Sequence, residues 1–365
     1  MRGGGEVMAT RAGRVSLPGL RIPAFSLRER WPEFLTILVL TECVAAAMFA
    51  HSYGLAAEIP WTIYYLIWLA PVGAIALLTL FLWLGKLMRA GEQRPIGATI
   101  AKLCSVSSRS YIEFFVPVVV MAPFMASFTT FKTIMGDVAT YHMDPLLYRI
   151  DGALGFQPWQ VTHALIGPIG TTVVNGVYFM WFVLVQVMLF AILFVPQLRK
   201  QRAQVLLSFV MCWVILDTFL AVAIPSVGPC YYGKLYQPDV YADLMHRLQV
   251  IDQTRPLSAL RVQDGLWLQH SQDAVALGSG VSAMPSMHVS IATIIALLLR
   301  RLRLGWIGWP FLALICIGSV HLGWHYAVDG IVSVVGTLAI WKAIAKLLRE
   351  EPIQREAGSV HAATA

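Results

Sequence analysis

Two histidines and one carboxylate stand at the edges of apolar stretches in the C-terminal part of this 365-residue chain. His325 and Asp329 belong to His325-Tyr326-Ala327-Val328-Asp329, and His288 closes Ala283-Met284-Pro285-Ser286-Met287-His288. On a helix, residues four apart share a face. A carboxylate so placed can accept from one ring nitrogen, which fixes the tautomer and leaves the other nitrogen as a nucleophile. A second histidine can protonate a departing oxygen. Pro285 suits a first helical turn, where Ser286 and nearby N–H groups could hold an anionic oxygen. These residue types in this spacing predict phosphoryl transfer through a histidine.

The elements that must carry these residues are membrane helices. The chain is 58% hydrophobic and only 13% charged, with a mean hydropathy of +0.67, against about 25% charged residues in a soluble domain. Apolar windows of roughly 20 residues predict membrane helices. About eight are expected, near 34–57, 61–88, 111–131, 171–195, 204–225, 286–300, 304–321 and 326–348. The fold class is therefore all-α, a polytopic helical bundle. The first thirty residues carry no apolar core of a secretory signal and read as a disordered basic tail. Between 132 and 170, Met143-Asp144-Pro145 and Gln157-Pro158-Trp159 predict short interfacial helices, with Trp159 at headgroup level. Residues 239–251 predict a helix lying on the membrane surface.

Charge placement predicts orientation. Arg2, Arg11, Arg14, Arg21, Arg28 and Arg30 precede the first span. Further clusters are Lys86 to Arg109, Arg199 to Arg202, Arg300 to Arg303 and Lys342 to Arg349, so every second connection is basic. Under the positive-inside rule both termini are cytoplasmic, and His288, His321, His325 and Asp329 fall at the extracytoplasmic face. The formal net charge of +7 is spread over these short loops, which argues against nucleic-acid binding. The five cysteines are scattered without a CxxC pair, so zinc or redox use is not expected.

The chain resembles the superfamily of type 2 phosphatidic acid phosphatases and vanadium haloperoxidases. That family's Pro-Ser-Gly-His motif reads Pro285-Ser286-Met287-His288 here, and its Ser-Arg-x5-His-x3-Asp motif retains His325 and Asp329. The resemblance covers about 111–348, a six-helix core, with two extra spans before it. It implies His325 as the nucleophile that becomes phosphohistidine, Asp329 as its orienting partner and His288 as general acid, with no metal or other cofactor. Two positions depart from the pattern. The arginine before the nucleophile falls at Ser319, and the lysine of Lys-x6-Arg-Pro falls at Leu248, although Arg255-Pro256 is present. Lys234 and Arg255 are the first candidates for holding phosphate beside Ser286, followed by Arg247 and Arg261. Met287 and His325-Tyr326 are similar to the inositol phosphorylceramide and sphingomyelin synthases, in which a lipid alcohol replaces water as acceptor.

These readings divide the chain into a basic cytoplasmic tail (1–32), two additional spans with a cytoplasmic loop (33–110), a catalytic core (111–348) and a C-terminal tail (349–365). The expected partners are membrane lipids, as phosphate donor and as lipid or polyol acceptor. His321 is either an auxiliary polar contact or a structural histidine. Glu42 and Asp217 are intramembrane acids, by default functional but also capable of joining helices. Two other readings remain: a lipid-binding or transport protein with a decayed site, and a metal site of His288, His321, His325 and Asp329.

Overall fold

A computed structural model describes residues 26–54, 59–272 and 280–349. The expected tails, 1–25 of the first and 350–365 of the second, lie outside the described residues, and helix α1 already begins at Leu27. Among the described residues every regular element is helical. The first half holds α1 (Leu27–Ser52), α2 (Trp61–Arg89), α3 (Pro95–Cys104), α4 (Ser108–Val138), α5 (Asp144–Asp151), α6 (Pro158–Leu165) and α7 (Pro168–Phe194). The second holds α8 (Arg199–Cys212), a π-helical continuation over Trp213–Leu220, α9 (Ala221–Ala223), α10 (Tyr232–Leu235), α11 (Ala242–Asp252), α12 (Ser258–Ser271), α13 (Met287–Arg301), α14 (Gly305–His321) and α15 (Ala327–Leu347).

Among the described residues six helices are long and apolar enough to cross a membrane: α1, α2, α4, α7, α8 with its continuation, and α15. The two other expected spans are α-helices of 15 and 17 residues, α13 and α14, shorter than the roughly 20 residues of a full crossing. Helix α13 is buried nearly all round, from Val289 to Leu298, as the central rod of a bundle must be. It packs on α14, α15, α8 and α7. The approach to α14 is close because Gly308 lies where a Cβ would be 2.9 Å from the Ala296 Cα, the small-residue contact that membrane helices favour. Helices α1 and α2 pack on α4, beside the core.

The two ends of the bundle differ. At one end Arg109 pairs with Glu33 at 2.7 Å and Arg199 with Glu113 at 3.0 Å. Buried Arg202 there donates to the Ile192 and Leu193 carbonyls at 3.0 and 2.8 Å, satisfying the C-terminal turn of α7. At the other end the segments 139–167, 224–272 and 280–284 lie over the starts of α13 and α15.

Two expectations for those segments change. Helix α11 forms, but Leu244 and Leu248 on its apolar face are fully buried in the protein core, so this face is spent on the protein. Trp159 is 6% exposed, packed against His163 with a ring separation of 6.1 Å and lying below the Arg247 guanidinium. A neighbouring cation and histidine occupy it instead of headgroups. The prolines behave as expected in α5 and α6, where Pro145 and Pro158 occupy the first turn. Pro285 lies before the Ser286 N-cap of α13, one position outside its expected turn.

Candidate active site

His325 stands just before α15, at the end of a tight reversal from α14. The amides of Trp324 and His325 both donate to the Ser319 carbonyl at 3.0 Å. Ser319 itself is 1% exposed, so the position where the resembled family carries arginine has no space for a long cation. The His325 ring lies 2.7 Å by Nδ1 from the Ala283 carbonyl and 3.5 Å from Asp329 Oδ2. A carbonyl only accepts, so Nδ1 carries a proton, and in the neutral ring Nε2 is the nitrogen with the free lone pair. The nearer acceptor is thus a backbone oxygen. Asp329 Oδ2 chiefly accepts from the Tyr326 amide, at 3.0 Å.

Helix α5 contributes two carboxylates to the same region. Asp151 accepts from the Ala327 amide at 2.6 Å and the Val328 amide at 3.0 Å, taking the donors at the start of α15 that lack helical partners. Asp144, fully buried, accepts from the Val227 and Gly228 amides and from the hydroxyls of Tyr326 (2.8 Å) and Tyr236 (3.3 Å). Seven positions apart, the two aspartates share one helix face. Burial outweighs these hydrogen bonds and holds both carboxyls above their usual range. Asp151, Trp159, Tyr241, Leu244 and His325 line one small pocket.

Gly228 is required in this arrangement. Its φ is +89°, and a Cβ there would lie 2.5 Å from the Trp324 carbonyl oxygen and 3.0 Å from the Ala283 Cβ. It lies between the residue preceding His325 and the residue that holds its ring.

His288 opens α13 in an aromatic slot. Its ring stacks on Tyr178 at 4.5 Å and on Trp181 at 4.2 Å, with Phe182 edge-on at 5.5 Å. Trp181 Nε1 donates to the His288 carbonyl at 2.9 Å. The buried Nε2 of His288 has no hydrogen-bond partner among the described residues. His288 and His325 influence each other electrostatically. Ser286 is buried and caps α13 by accepting from the Val289 amide at 3.5 Å.

The remaining expected residues separate. His321 is held within the fold: its ring nitrogens meet Thr162 Oγ1 at 3.1 Å and Thr171 Oγ1 at 2.9 Å, and His163 stacks on it at 3.9 Å. With both nitrogens engaged it is a bracing residue. The loop cations Lys234, Arg247, Arg255 and Arg261 are exposed. Lys234 lies 6.0 Å from the Trp267 ring, Arg247 lies 5.9 Å from that of Trp159 at the pocket's edge, and Arg261 donates to Ser258. Among the described residues no group of three or more His, Cys, Asp or Glu side chains is arranged to hold a metal ion.

Sequence reasoning missed Asp144, Asp151 and the Ala283 carbonyl. The two aspartates had a signal, carboxylates seven apart on a short helix, but their partners lie more than 80 residues away in the chain. A carbonyl has no side-chain signature at all.

No curated protein and no solved structure matches the chain. A family model, described as the PAP2 superfamily, matches residues 145–343, more than half of its length. The matched segment runs from within α5, including Asp151, through His288 to His325 and Asp329, and on that match the chain belongs to the PAP2 superfamily.

Proposed function

We propose that this is a membrane enzyme that moves a phosphoryl group of a lipid phosphate through His325, at the extracytoplasmic face. Membership of the PAP2 superfamily supports a phosphatase or phosphotransferase activity. The observation that carries the residue roles is the short bond between His325 Nδ1 and the Ala283 carbonyl, because it leaves Nε2 as the nucleophile.

Nε2 attacks phosphorus while the bond to the leaving oxygen breaks, and protonated His288 gives that oxygen its proton. An acceptor hydroxyl then attacks the phosphohistidine, its proton passes to His288, and the nitrogen–phosphorus bond breaks. Asp329 stabilises the imidazolium character that develops on His325. Ser286 and the first amides of α13 face the transferred phosphoryl oxygens, and Lys234, Arg255 and Arg247 are the outer cations that meet an anionic headgroup. Transfer to a lipid or polyol alcohol, as in the inositol-phosphotransferase branch, is favoured over hydrolysis by His325-Tyr326-x-x-Asp329 and by the serine in place of the motif arginine.

Purified protein given labelled phospholipids tests this. A new phospholipid is the expected product; free phosphate alone would sink transfer in favour of simple hydrolysis. His325→Ala should reduce turnover by at least about 10⁴-fold. Full activity in that variant would support a lipid-binding protein whose transport or binding does not use the histidines. Cysteine labelling that finds 226–284 on the cytoplasmic side would overturn the orientation.

A further inference from the structure

The geometry points to Lys132, at the far end of α4, as the cation that holds the transferred phosphate, with Asp217 on the π-helical turn after α8 as its positioning residue. This rests on the phosphotransfer reading above and supplies what the departures at Leu248 and Ser319 leave missing.

Four charged or titratable groups form a cluster around the start of α13. Lys132 and His325 both lie within electrostatic reach of His288 and of Asp217. Lys132 and Asp217 are nevertheless not in ion-pair contact, since the ion pairs among the described residues involve other side chains. Electrostatic reach without contact leaves a gap between opposite charges.

Polar atoms of Asp217, of His288 and of side chains beside His288 on its ring or on its helix lack partners. Asp217 is 1% exposed, and its Oδ2 accepts from no donor among the described residues. The Tyr178 hydroxyl and Ser290 Oγ are likewise buried and unpartnered, as is His288 Nε2, whose ring stacks on Tyr178. Buried polar groups normally find partners, so this concentration beside a proposed general acid marks a place for a polar ligand. A buried carboxylate without a close cation is also costly. A lysine free to move between Asp217 and an incoming phosphate satisfies both needs.

The backbone supports the placement. Residues Trp213–Leu220 form a π-helix, a local widening that often marks functional sites, and Asp217 lies within it. Gly280, at φ +94°, lets the segment leading to Ala283 lie directly on Lys132; a Cβ there would be 2.7 Å from the Lys132 Cγ and closer still to its carbonyl. The segment that holds the His325 ring thus also packs on the root of the Lys132 side chain. Lys132 precedes the matched segment 145–343, so the family pattern itself could not point to it.

Inorganic vanadate, a phosphate analogue, tests the assignment on the full chain in detergent. Lys132→Met should raise the vanadate inhibition constant roughly 10- to 100-fold, the range of a charge-assisted hydrogen bond, and Lys132→Arg should recover most of it. Asp217→Asn should raise the constant less and lower kcat, with a thermal midpoint near the parent value. In unaltered protein, vanadate should also shield Lys132 from an amine-acylating reagent, a readout that needs no variant to fold. Unshielded Lys132, or a constant that is unchanged in Lys132→Met, overturns the assignment; a constant raised instead by Lys234→Met, Arg247→Met or Arg255→Met moves the role to the loop. Turnover by His325→Ala would instead overturn the underlying reading, whatever the vanadate result.

Discussion

Two helix N-termini meet at this site, and they are treated in opposite ways. At the start of α15 the amides of Tyr326, Ala327 and Val328 are all taken by carboxylates, from Asp329 and Asp151. At the start of α13 only the weak Ser286 cap is present, 3.5 Å from the Val289 amide. Both ends carry the same partial positive charge. The protein fills one with its own anions, which fixes the turn that bears His325. It leaves the other, beside His288, with no carboxylate of its own among the described residues. On the proposed function, holding the nucleophile and binding the phosphate are divided between the two helices.

Emptying the filled end is the strongest way to break this division. Asp151→Ala leaves two amides without their acceptor and should cost about 2 kcal/mol of stability, the upper range for a lost cap. Displacing His325 by a fraction of an ångström should reduce kcat on the order of 100-fold, with the vanadate inhibition constant nearly unchanged. Steady-state kinetics with vanadate inhibition checks this; a raised inhibition constant with intact kcat would assign phosphate binding to the α15 end. Gly228→Ala should act on the same end from behind. Its Cβ cannot fit between the Trp324 carbonyl and Ala283, and the positive φ adds strain of about 1–3 kcal/mol. Thermal denaturation should reveal a lower midpoint, together with reduced kcat.

The open end gives a smaller and different effect. Ser286→Ala removes a cap worth roughly 1 kcal/mol and one phosphoryl contact. Its expected signature is a several-fold higher inhibition constant for vanadate, with kcat less affected than in Asp151→Ala. Equal losses in kcat for both variants would erase the distinction between the two ends.

The two ends also differed in how far the sequence alone could describe them. The helical spans follow from apolar windows, and the His325/Asp329 and Ser286/His288 spacings are local, so both can be read directly. Their supports are long-range. Asp151 meets amides 176 and 177 positions away, and Asp144 meets Tyr326 across 182; no periodicity encodes such pairs. Trp159 reads as an interfacial anchor by type, and only the folded chain puts Arg247 over it. For His321 the sequence leaves an auxiliary contact and a structural role both open, because Thr162 and Thr171, which take its two nitrogens, belong to other helices. Helix α13 is as short as its apolar window, which the sequence closes at Arg300 and Arg301; what the window could not show is that the helix is buried nearly all round.

The smallest expected effect concerns the brace behind the filled end. His163 stacks on His321 and lies 2.9 Å by Nε2 from its carbonyl, at the last residue of α14 before the turn to His325. That carbonyl only accepts, so Nε2 carries the proton and the ring is neutral when Nδ1 is bare. The groups facing it are the His321 ring, Trp159 and Arg247. Burial, and to a lesser extent the Arg247 charge, hold His163 below its ordinary value of 6.5, against the opposing carbonyl bond. The unfolded chain therefore takes up a proton near 6.5 before the folded chain does. The contribution of His163 is fully present above that pH and is lost as pH falls from 6.5 toward the depressed folded value. Denaturation midpoints across that window should decline in the parent protein and decline less in His163→Asn, while Arg247→Gln, which brings the folded value back toward 6.5, should narrow the window and lessen the decline. An unchanged slope in His163→Asn would mean that the α15 end stands on the α5 carboxylates without this brace.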